Sequence, residues 1–429
     1  MVESILIKDI QIVFANEIKN GDIFIENGKI KKLDWQINKP SELIIKGNGL
    51  IALAGLIDTH VHFREPGFTD KEDFTTGSRA AAKGGVTSIF EMPNTNPPTT
   101  TSKLLNEKRI IAKNNSLVNY NFFLGATEEN LSDLLTVENI PGIKIFLGSA
   151  SKSLVVNKRA ILEEIFSKST KLIAVHAELP LGPNNSNTHS IDEAVAGTKL
   201  AIELAQKYQR RLHLLHISTK EELELIEQAK YKNNEHGFFL TVEITPQHLL
   251  LDTSNPKNQA DTFLKVNPPI RSIEHQNEIY KSLKKGLIDT IATDHAPHLI
   301  SEKLQEYDKA PSGMPGLETL LPLLLNEVNQ EKLSLYEVTK LLSLNPAKFF
   351  NIKYKGLIKE NFDADLVLVD LKTKRKVENQ ALVTKCGWSA FNGQTLQGWP
   401  IMTIVNGNLV FREGDFFETI KGQEIQITS

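Results

Sequence analysis

Between residues 56 and 292 the chain alternates short apolar runs with longer amphipathic stretches, and this alternation limits the possible folds more than any other feature. Eight apolar runs are typical of buried strands, at residues 56–62, 86–92, 118–124, 143–147, 172–176, 212–216, 239–244 and 288–292. Helical periodicity separates most of them, at residues 74–83, 103–112, 158–167, 191–208, 221–230 and 273–285. Such βα units predict an α/β fold with a closed (β/α)8 barrel of the TIM type. A doubly wound open sheet is the alternative.

The two ends of the chain are predicted to be rich in β-structure. Strand candidates lie at residues 5–7, 11–14, 21–25 and 29–33 near the start, and at residues 364–369, 402–405 and 408–411 near the end. Asn27-Gly28 and Asn406-Gly407 are hairpin-turn signals. Helical stretches at residues 318–329 and 335–350 precede the final strands. We therefore predict a small discontinuous β domain from residues 1–53 and 356–429, with the barrel at residues 54–355.

The composition excludes several classes of protein. The chain has 429 residues, 40% of them hydrophobic and 24% charged, with a formal net charge of −3. This balance gives no reason to expect nucleic acid or an anionic membrane as a partner. Cys386 is the single cysteine, so no internal disulfide can form. We expect a cytoplasmic protein that acts on a small molecule and assembles as a homodimer.

Polar side chains stand in or just after the predicted barrel strands. These are His60, His62, Asn94, Lys144, His176, His216 and Asp294. Alternate residues of a strand share a face, so His60 and His62 point the same way and Arg64 continues that row. A histidine at one strand end is more often structural than a ligand, but a set of this size at one end of a barrel predicts a metal site.

The ligand types favour two zinc ions. Zinc binds imidazole nitrogen and carboxylate oxygen, and a catalytic site keeps a position for water. Lys144 lies inside an apolar strand, where an ammonium is costly. A neutral Lys144 amine can add carbon dioxide, and the resulting carbamate could bridge two metals. The charges of carbamate, Asp294 and a bridging hydroxide would then nearly balance those of the two ions.

Three motifs resemble the amidohydrolase superfamily, and within it the dihydroorotase family. They are DTHVHFREPG at residues 58–67, KIFLG at residues 144–148, and DHAPH at residues 294–298 followed by APSGMPGLE at residues 310–318. The resemblance extends over essentially the whole chain. It implies that His60, His62 and Asp294 hold one zinc ion. His176 and His216 would hold the other.

The same resemblance implies that carboxylated Lys144 and hydroxide bridge the two Zn²⁺ ions of each subunit, and that Asp294 is the catalytic base. It also implies a set of substrate contacts. These are Arg64, Asn94 and His298 on the ring carboxylate, Asn267 near the ring, and the backbone around Pro311 and Gly313 on its amides.

The family's reaction is the reversible zinc-dependent cyclisation of N-carbamoyl-L-aspartate to L-dihydroorotate in pyrimidine synthesis, and this is the activity that the resemblance implies. Allantoinase and dihydropyrimidinase (hydantoinase) are alternatives with the same barrel and metal set. An inactive scaffold for a transcarbamoylase is a further alternative. Two stretches depart from the family pattern: Gln247 stands where many relatives have histidine, and residues 179–188 form a short Asn-rich loop.

Overall fold

The structure is a computed structural model that describes residues 3–148, 152–182, 188–233, 240–254, 261–418 and 420–427. Residue 239 of the seventh predicted strand and residues 183–187 of the 179–188 loop lie outside these ranges.

The strands are, in chain order, β1 (Ser4–Val13), β2 (Ile18–Glu26), β3 (Lys29–Asp34), β4 (Leu43–Lys46), β5 (Ile51–Ala54), β6 (Leu56–Val61), β7 (Val86–Glu91), β8 (Asn119–Phe122), β9 (Leu124–Gly125), β10 (Ile143–Phe146), β11 (Ile173–His176), β12 (Leu212–Leu214), β13 (Leu240–Ile244), β14 (Thr290–Ile291), β15 (Leu366–Lys376), β16 (Thr395–Val405), β17 (Asn408–Arg412) and β18 (Asp415–Phe416).

The α-helices are α1 (Phe74–Lys83), α2 (Ser102–Asn115), α3 (Leu131–Thr136), α4 (Arg159–Lys168), α5 (Ile191–Tyr208), α6 (Lys220–Asn233), α7 (Pro246–Leu250), α8 (Ile273–Lys284), α9 (Ile300–Lys303), α10 (Leu317–Asn329), α11 (Leu335–Thr339) and α12 (Asn345–Phe349). Among the helices of the described ranges, none combines the length and the hydrophobicity needed to cross a bilayer.

The central element is a closed barrel of parallel strands. One sheet has the order β6-β7-β8, and a second runs from β9 through β14 in sequence order. β8 and β9 are consecutive parts of the third strand, on either side of Phe123. The barrel closes where Val61 bridges His295 in parallel and the amide of His62 donates to the carbonyl of His295 at 2.8 Å. The (β/α)8 prediction is therefore confirmed, since an open sheet would leave the first and last strands unpaired.

Local sequence signals explain where several helices begin and change. Asp73 accepts from the amide of Thr76 and so caps α1. Ser190 and Glu193 form a reciprocal capping box at the start of α5. The predicted helix at residues 335–350 is interrupted by a π-helical turn at Lys340–Leu344, directly before Asn345-Pro346. Pro346 has no amide hydrogen to donate, so a regular α-helix cannot continue unchanged there.

Strands from both ends of the chain build one nine-stranded sheet. Its order is β18-β17-β16-β15-β5-β1-β2-β3, with β4 beside β1. The junction is the antiparallel pair β5–β15, in which Leu53 lies opposite Val367. An apolar cluster that includes Ile23, Leu366 and Ile404 is buried on this sheet. Strands from the two ends of the chain thus pair in one sheet, as expected. The domain boundaries at residues 53/54 and 355/356 stay a prediction.

One strand assignment from the sequence was wrong in detail. The candidates at residues 5–7 and 11–14 are one strand, β1, with an irregularity at Asp9, whose φ is 55°. A single inserted residue of this kind bends a strand without ending it. The apolar run before His60 is two strands, because Gly55 donates to Asp365 of the terminal sheet while Leu56 donates to Gly85 of the barrel. Gly55 lacks a Cβ that would collide with Thr87, which permits this close crossing.

Candidate metal and substrate site

A polar cavity of about 100 Å³ lies at the carboxyl ends of the barrel strands. Every site residue predicted from the sequence lines it except Pro311. Its lining in the described part of the chain is His60, His62, Arg64, Asn94, Lys144, Phe146, His176, His216, Asn267, Asp294, Ala296, His298, Ser312 and Gly313. Residues from most of the barrel strands therefore meet at one place, as the carboxyl-end rule for these barrels requires.

His60, His62 and Asp294 converge on a single point. Oδ1 of Asp294 lies 2.9 Å from Nε2 of His62 and 3.3 Å from Nε2 of His60. Nδ1 of His60 donates to the carboxylate of Glu243 at 2.8 Å, and Nδ1 of His62 donates to Oδ1 of Asn94 at 2.6 Å. Burial lowers the pKa of His62 to about 4, so its ring is neutral near pH 7. The lone pairs of these side chains then face one another, an arrangement that a cation would stabilise.

The second group comprises Lys144, His176 and His216. The rings of His176 and His216 are 4.5 Å apart, and that of His60 lies 5.3 Å from His216. Nε2 of His176 donates to Glu178 at 2.8 Å, which leaves Nδ1 as its free lone pair. Nδ1 of His216 and Nζ of Lys144 are buried and have no hydrogen-bond partner among the described residues. Unsatisfied buried nitrogens at one place are expected where a metal is to be bound.

Charge in the cavity is set by burial and by the imidazoles. Burial lowers the pKa of Lys144 to about 7, so a substantial fraction of this amine is neutral near pH 7. Burial alone would raise the pKa of Asp294, but His60 and His62 outweigh this and hold it at about 2. An ionised carboxylate beside a neutral amine is better suited to binding a cation than to forming an ion pair between the two groups. Ligating atoms of His60, His216 and Asp294 all lie within 4.8 Å of one another.

Three residues of the cavity hold left-handed backbone conformations without being glycine. The φ angles are 63° for Arg64, 37° for His216 and 49° for Asp294. Each such residue costs on the order of 1 kcal/mol, and strain of this kind concentrates at functional sites. All three sit just past the end of a barrel strand, where the turn aims the side chain across the cavity.

Arg64 and His298 form the wall suited to an anion. Nε of Arg64 donates to the carbonyl of Pro297 at 3.1 Å, and its Nη2 lies 3.1 Å from Nε2 of His298. Nζ of Lys71 donates to Nδ1 of His298 at 3.3 Å, and an ammonium can only donate. Burial, followed by Arg64 and Lys71, lowers the pKa of His298 to about 2. Nε2 of this neutral ring also lies 3.1 Å from the carbonyl of Ser312, so Arg64 and Ser312 meet at the same ring nitrogen.

Comparison with known proteins identifies relatives of this chain over nearly its full length. The profile of the amidohydrolase family matches residues 51–410. A dihydroorotase of Methanosphaera stadtmanae is 39% identical over 94% of this chain and 95% of its own length, and one of Pyrococcus abyssi is 34% identical over 97% of each. The solved L-hydantoinase (dihydropyrimidinase) of Arthrobacter aurescens is 28% identical, with a TM-score of 0.91 over 99% of this chain and 100% of that one.

The chain belongs to the amidohydrolase family. The relatives with 39% and 34% identity are dihydroorotases, and together with the family they indicate a hydrolase that acts on cyclic amide bonds. A dihydropyrimidinase of Brevibacillus agri, 24% identical with a TM-score of 0.88, shares the fold.

Within this amidohydrolase cavity, two carboxylates that the sequence analysis did not assign hold the histidines in place. Glu243 lies on β13 and binds His60, Thr59 at 3.0 Å and His213 at 3.4 Å. Glu178 binds His176 and Nδ1 of His189 at 3.0 Å. An acidic residue inside the apolar run at residues 240–244 was a signal for Glu243, since a buried carboxylate needs a partner. Carboxylates of this kind fix the tautomer of metal-binding histidines.

The last predicted contacts lie on two segments over the cavity. Asn267 and Gly313 line it, and Gly313 has a φ of 135° with no room for a Cβ beside Ala296. Pro311 does not line the cavity, and its carbonyl accepts from Nζ of Lys303 at 2.8 Å. Gln247 is buried outside the lining and donates to the carbonyl of Thr293 at 3.1 Å.

Proposed function

We propose that this amidohydrolase is a dihydroorotase, which interconverts N-carbamoyl-L-aspartate and L-dihydroorotate in pyrimidine synthesis. The observation that carries the proposal is the buried Arg64 guanidinium beside neutral His298, in the same cavity as the cluster of His60, His216 and Asp294. Dihydroorotate carries a carboxylate next to its cyclic amide. A planar guanidinium is well matched to that carboxylate, and the cluster to the amide.

The metal-binding set is proposed to hold two zinc ions. His60, His62 and Asp294 would bind one ion, His176 and His216 the other, and Lys144 both. The fit rests on the converging lone pairs and on the unsatisfied nitrogens of His216 and Lys144. When bound, the ions would polarise the amide carbonyl of the ring and lower the pKa of the attacking water.

Lys144 is proposed to be carboxylated. Its neutral amine attacks carbon dioxide, the new N–C bond forms, and one amine proton leaves to solvent. The product is an anion in place of a buried amine that has no hydrogen-bond partner in the described ranges. Carboxylation therefore removes the cost of the buried amine and supplies two oxygen ligands.

The protein's own groups account for binding and proton transfer. Arg64, His298 and the amide of Asn94 hold the ring carboxylate, and Asn267 with the backbone around Gly313 holds the ring. The carboxylate of Asp294 takes a proton from the attacking water and passes it to the ring nitrogen as the C–N bond breaks. In the direction of ring closure, Asp294 takes the proton from the ureido nitrogen first.

A hydantoinase or dihydropyrimidinase activity is the second candidate, because the solved structure with 28% identity is of that class. Those substrates are neutral rings, for which a buried cation and a neutral histidine offer no partner. Allantoin is neutral too. We therefore expect dihydroorotate to be the preferred substrate.

Two broader features belong to the same proposal. The enzyme is cytoplasmic, which agrees with its single, buried Cys386 and the lack of any possible internal disulfide. It is a homodimer, which light scattering on the purified chain tests directly.

A single assay tests the proposed reaction. Hydrolysis of dihydroorotate, hydantoin, dihydrouracil and allantoin is compared on the purified protein, with its zinc content measured and with a chelator added. We expect the highest kcat/KM on dihydroorotate and loss of activity with the chelator. A protein without bound metal or activity would instead be the inactive scaffold. A preference for a neutral ring would contradict the role of Arg64.

A further inference from the structure

Lys303, at the end of α9, is a fully buried lysine outside the metal set. Its Nζ donates to three backbone carbonyls, those of Lys265 at 3.2 Å, Pro311 at 2.8 Å and Gly313 at 3.0 Å. No carboxylate in the described part of the chain lies within ion-pair distance of it. Three acceptors match the three N–H groups of an ammonium, whereas a neutral amine has only two hydrogens to donate.

The three carbonyls belong to the two segments that lie over the cavity. Lys265 precedes Asn267 by two residues, and its carbonyl also accepts from the amide of Gly313 at 2.9 Å. Pro311 and Gly313 flank Ser312, whose carbonyl lies 3.1 Å from Nε2 of His298. One ammonium therefore joins residues 265–267, which include the proposed ring contact Asn267, to residues 311–313. The second segment includes Ser312, the neighbour of His298.

The surroundings leave the ammonium little freedom. Its nitrogen lies 5.6 Å from the ring centre of Trp388, whose indole N–H donates to the carbonyl of His298 at 2.7 Å. Phe263 packs edge-on against the same indole at 4.9 Å. The ammonium is thus enclosed by an aromatic face and three carbonyls, so it acts as a rigid tie.

Keeping a cation at this place is costly. Burial, and then the nearby Lys265, lowers the pKa of Lys303 to about 7. A methionine of similar length would fill the same space, but it would take the Lys303 donor away from the carbonyls of Pro311 and Gly313, while the carbonyl of Lys265 would keep only the amide of Gly313. The ammonium therefore matters for the shape of the two segments more than for filling volume.

We propose that Lys303 is a positioning residue that fixes the two substrate-contacting segments, residues 265–267 and 311–313, and so sets the affinity for the ring. The inference rests on the proposed dihydroorotase function. Lys303 contacts neither the metal ligands nor the reacting atoms, so its removal acts mainly on substrate binding. Asp294 is not among the residues that Lys303 binds, so proton transfer by Asp294 is left in place.

The kinetic test compares Lys303→Met, Lys303→Gln and Lys303→Ala with the wild type on dihydroorotate. For Lys303→Met we expect KM to rise by about tenfold or more while kcat changes by less than about threefold, since one to two kcal/mol of hydrogen bonding is lost. Lys303→Gln keeps two N–H donors, so its KM should lie between those of the wild type and Lys303→Met. Added methylamine or ethylamine should lower the KM of Lys303→Ala. Lys309→Met is the matched control, because Lys309 is exposed on the same loop and pairs with Glu306.

Hydrogen–deuterium exchange tests the same tie without any substrate. The peptide that covers residues 310–317 should exchange faster in Lys303→Met than in the wild type, whereas Lys309→Met should match the wild type. A wild type inactive on dihydroorotate would contradict the proposed function, while the exchange difference would still decide the role of Lys303.

Two results would overturn the proposal. One is an unchanged KM together with unchanged exchange in Lys303→Met. The other is a joint decrease of kcat, metal content and unfolding temperature, which would show that Lys303 supports the stability of the whole fold. If Lys303→Met does not fold, Lys303→Gln takes its place, and a wild-type KM and exchange rate in that folded variant would overturn the proposal.

Discussion

Lys144 shows at the scale of one residue how a fold prepares a side chain for modification. The amine is buried on β10 among Ile143, Ile145 and Phe146, and its pKa is lowered to about 7. Lys144 faces Asp294 and the histidines. A positively charged ammonium at this place would repel a metal ion and so keep those side chains from binding one. A carbamate at this nitrogen reverses the sign of the charge.

Replacing Lys144 by alanine is therefore expected to remove most of the bound metal and most of the activity. The physical reason is the loss of the ligand shared by both ions, and weakened ligation usually costs about 10- to 100-fold in metal affinity even for indirect partners. Metal analysis and dihydroorotate hydrolysis measure this. A short carboxylic acid such as acetate should partly restore the activity of the variant and leave the wild type unchanged. Full metal content in Lys144→Ala would show that Lys144 is not a ligand.

Replacing Arg64 by lysine tests the anion wall. A lysine keeps the charge but cannot present two parallel N–H groups to a carboxylate. We expect the replacement to weaken transition-state binding of dihydroorotate by about 2–4 kcal/mol, the range for truncating a buried charge pair, and to lower kcat/KM by the corresponding factor. The loss on dihydrouracil, which has no carboxylate, should be much smaller. Equal losses on both substrates would assign Arg64 to the structure of the cavity.

Asp294→Asn keeps the shape of the side chain and removes its basic oxygen. The proton then has no carrier between the attacking water and the leaving nitrogen. We expect turnover to fall by at least about a hundredfold in both directions, since the same transition state is crossed either way. Initial rates of hydrolysis and of ring closure are measured on protein with its metal content verified. Near-normal rates in a metal-replete variant would transfer the role of the base to another group.

At the scale of elements, a buried ion pair joins the end of β7 to α2. Glu91 and Lys108 are each 1% exposed and in contact, and Nζ of Lys108 also donates to the carbonyl of Met92 at 3.2 Å. Burial raises the pKa of Glu91 to about 7, against the opposing effect of Lys108. The pair fixes the strand end that precedes Asn94.

Near pH 8, where Glu91 would be left as an uncompensated buried charge, Lys108→Met should destabilise the fold by about 3–5 kcal/mol. The double variant Glu91→Leu/Lys108→Met should recover much of this. In Lys108→Met the pKa of Glu91 is raised further in the folded state, so the folded protein holds the proton more tightly than the unfolded chain. Its stability should therefore fall as pH rises from about 5 to about 8. Urea unfolding at the two pH values measures both effects, and a pH-independent deficit would contradict the charge argument.

At the scale of the whole molecule, the last described segment completes the barrel wall. The outer edge of β8 pairs with residues 422–425, through Tyr120 to Gln423 at 3.1 Å and Ile425 to Tyr120 at 2.9 Å. Ile425 is 2% exposed and packs in the cluster that contains Phe90, Phe123 and Phe350. Residues 422–425 thus pair with β8 near the point where the third strand passes from one sheet of the barrel to the other.

Ile425→Ala is expected to cost about 2–5 kcal/mol of stability, the range for truncating a buried isoleucine. The metal site lies on other strands, so kcat well below the unfolding temperature should stay near that of the wild type. Denaturant unfolding and the hydrolysis assay measure the two quantities. Gln426→Ala, at an exposed neighbour, is the control. A loss of activity without a loss of stability would connect the segment to the site instead.

The barrel and most of its site were predictable because their signals are local. An apolar run of strand length followed by a turn marks where each strand ends, and His60, His62, His176, His216 and Asp294 stand at those ends. Once the strands are parallel and closed, their carboxyl ends meet by necessity. The order of the terminal strands and the irregularity at Asp9 were not predictable, since period and composition say little about pairing partners.

What only the tertiary structure decided are the contacts between positions far apart in the chain. Glu243 reaches His60 across 183 residues, Lys71 reaches His298 across 227, and Lys303 joins two segments that no periodicity relates. The sequence by itself determined which side chains stand at the strand ends, because burial and turn formation act on neighbouring residues. Barrel closure decided which groups hold those side chains in place, because it alone brings their carboxylates, ammonium groups and carbonyls within hydrogen-bonding distance.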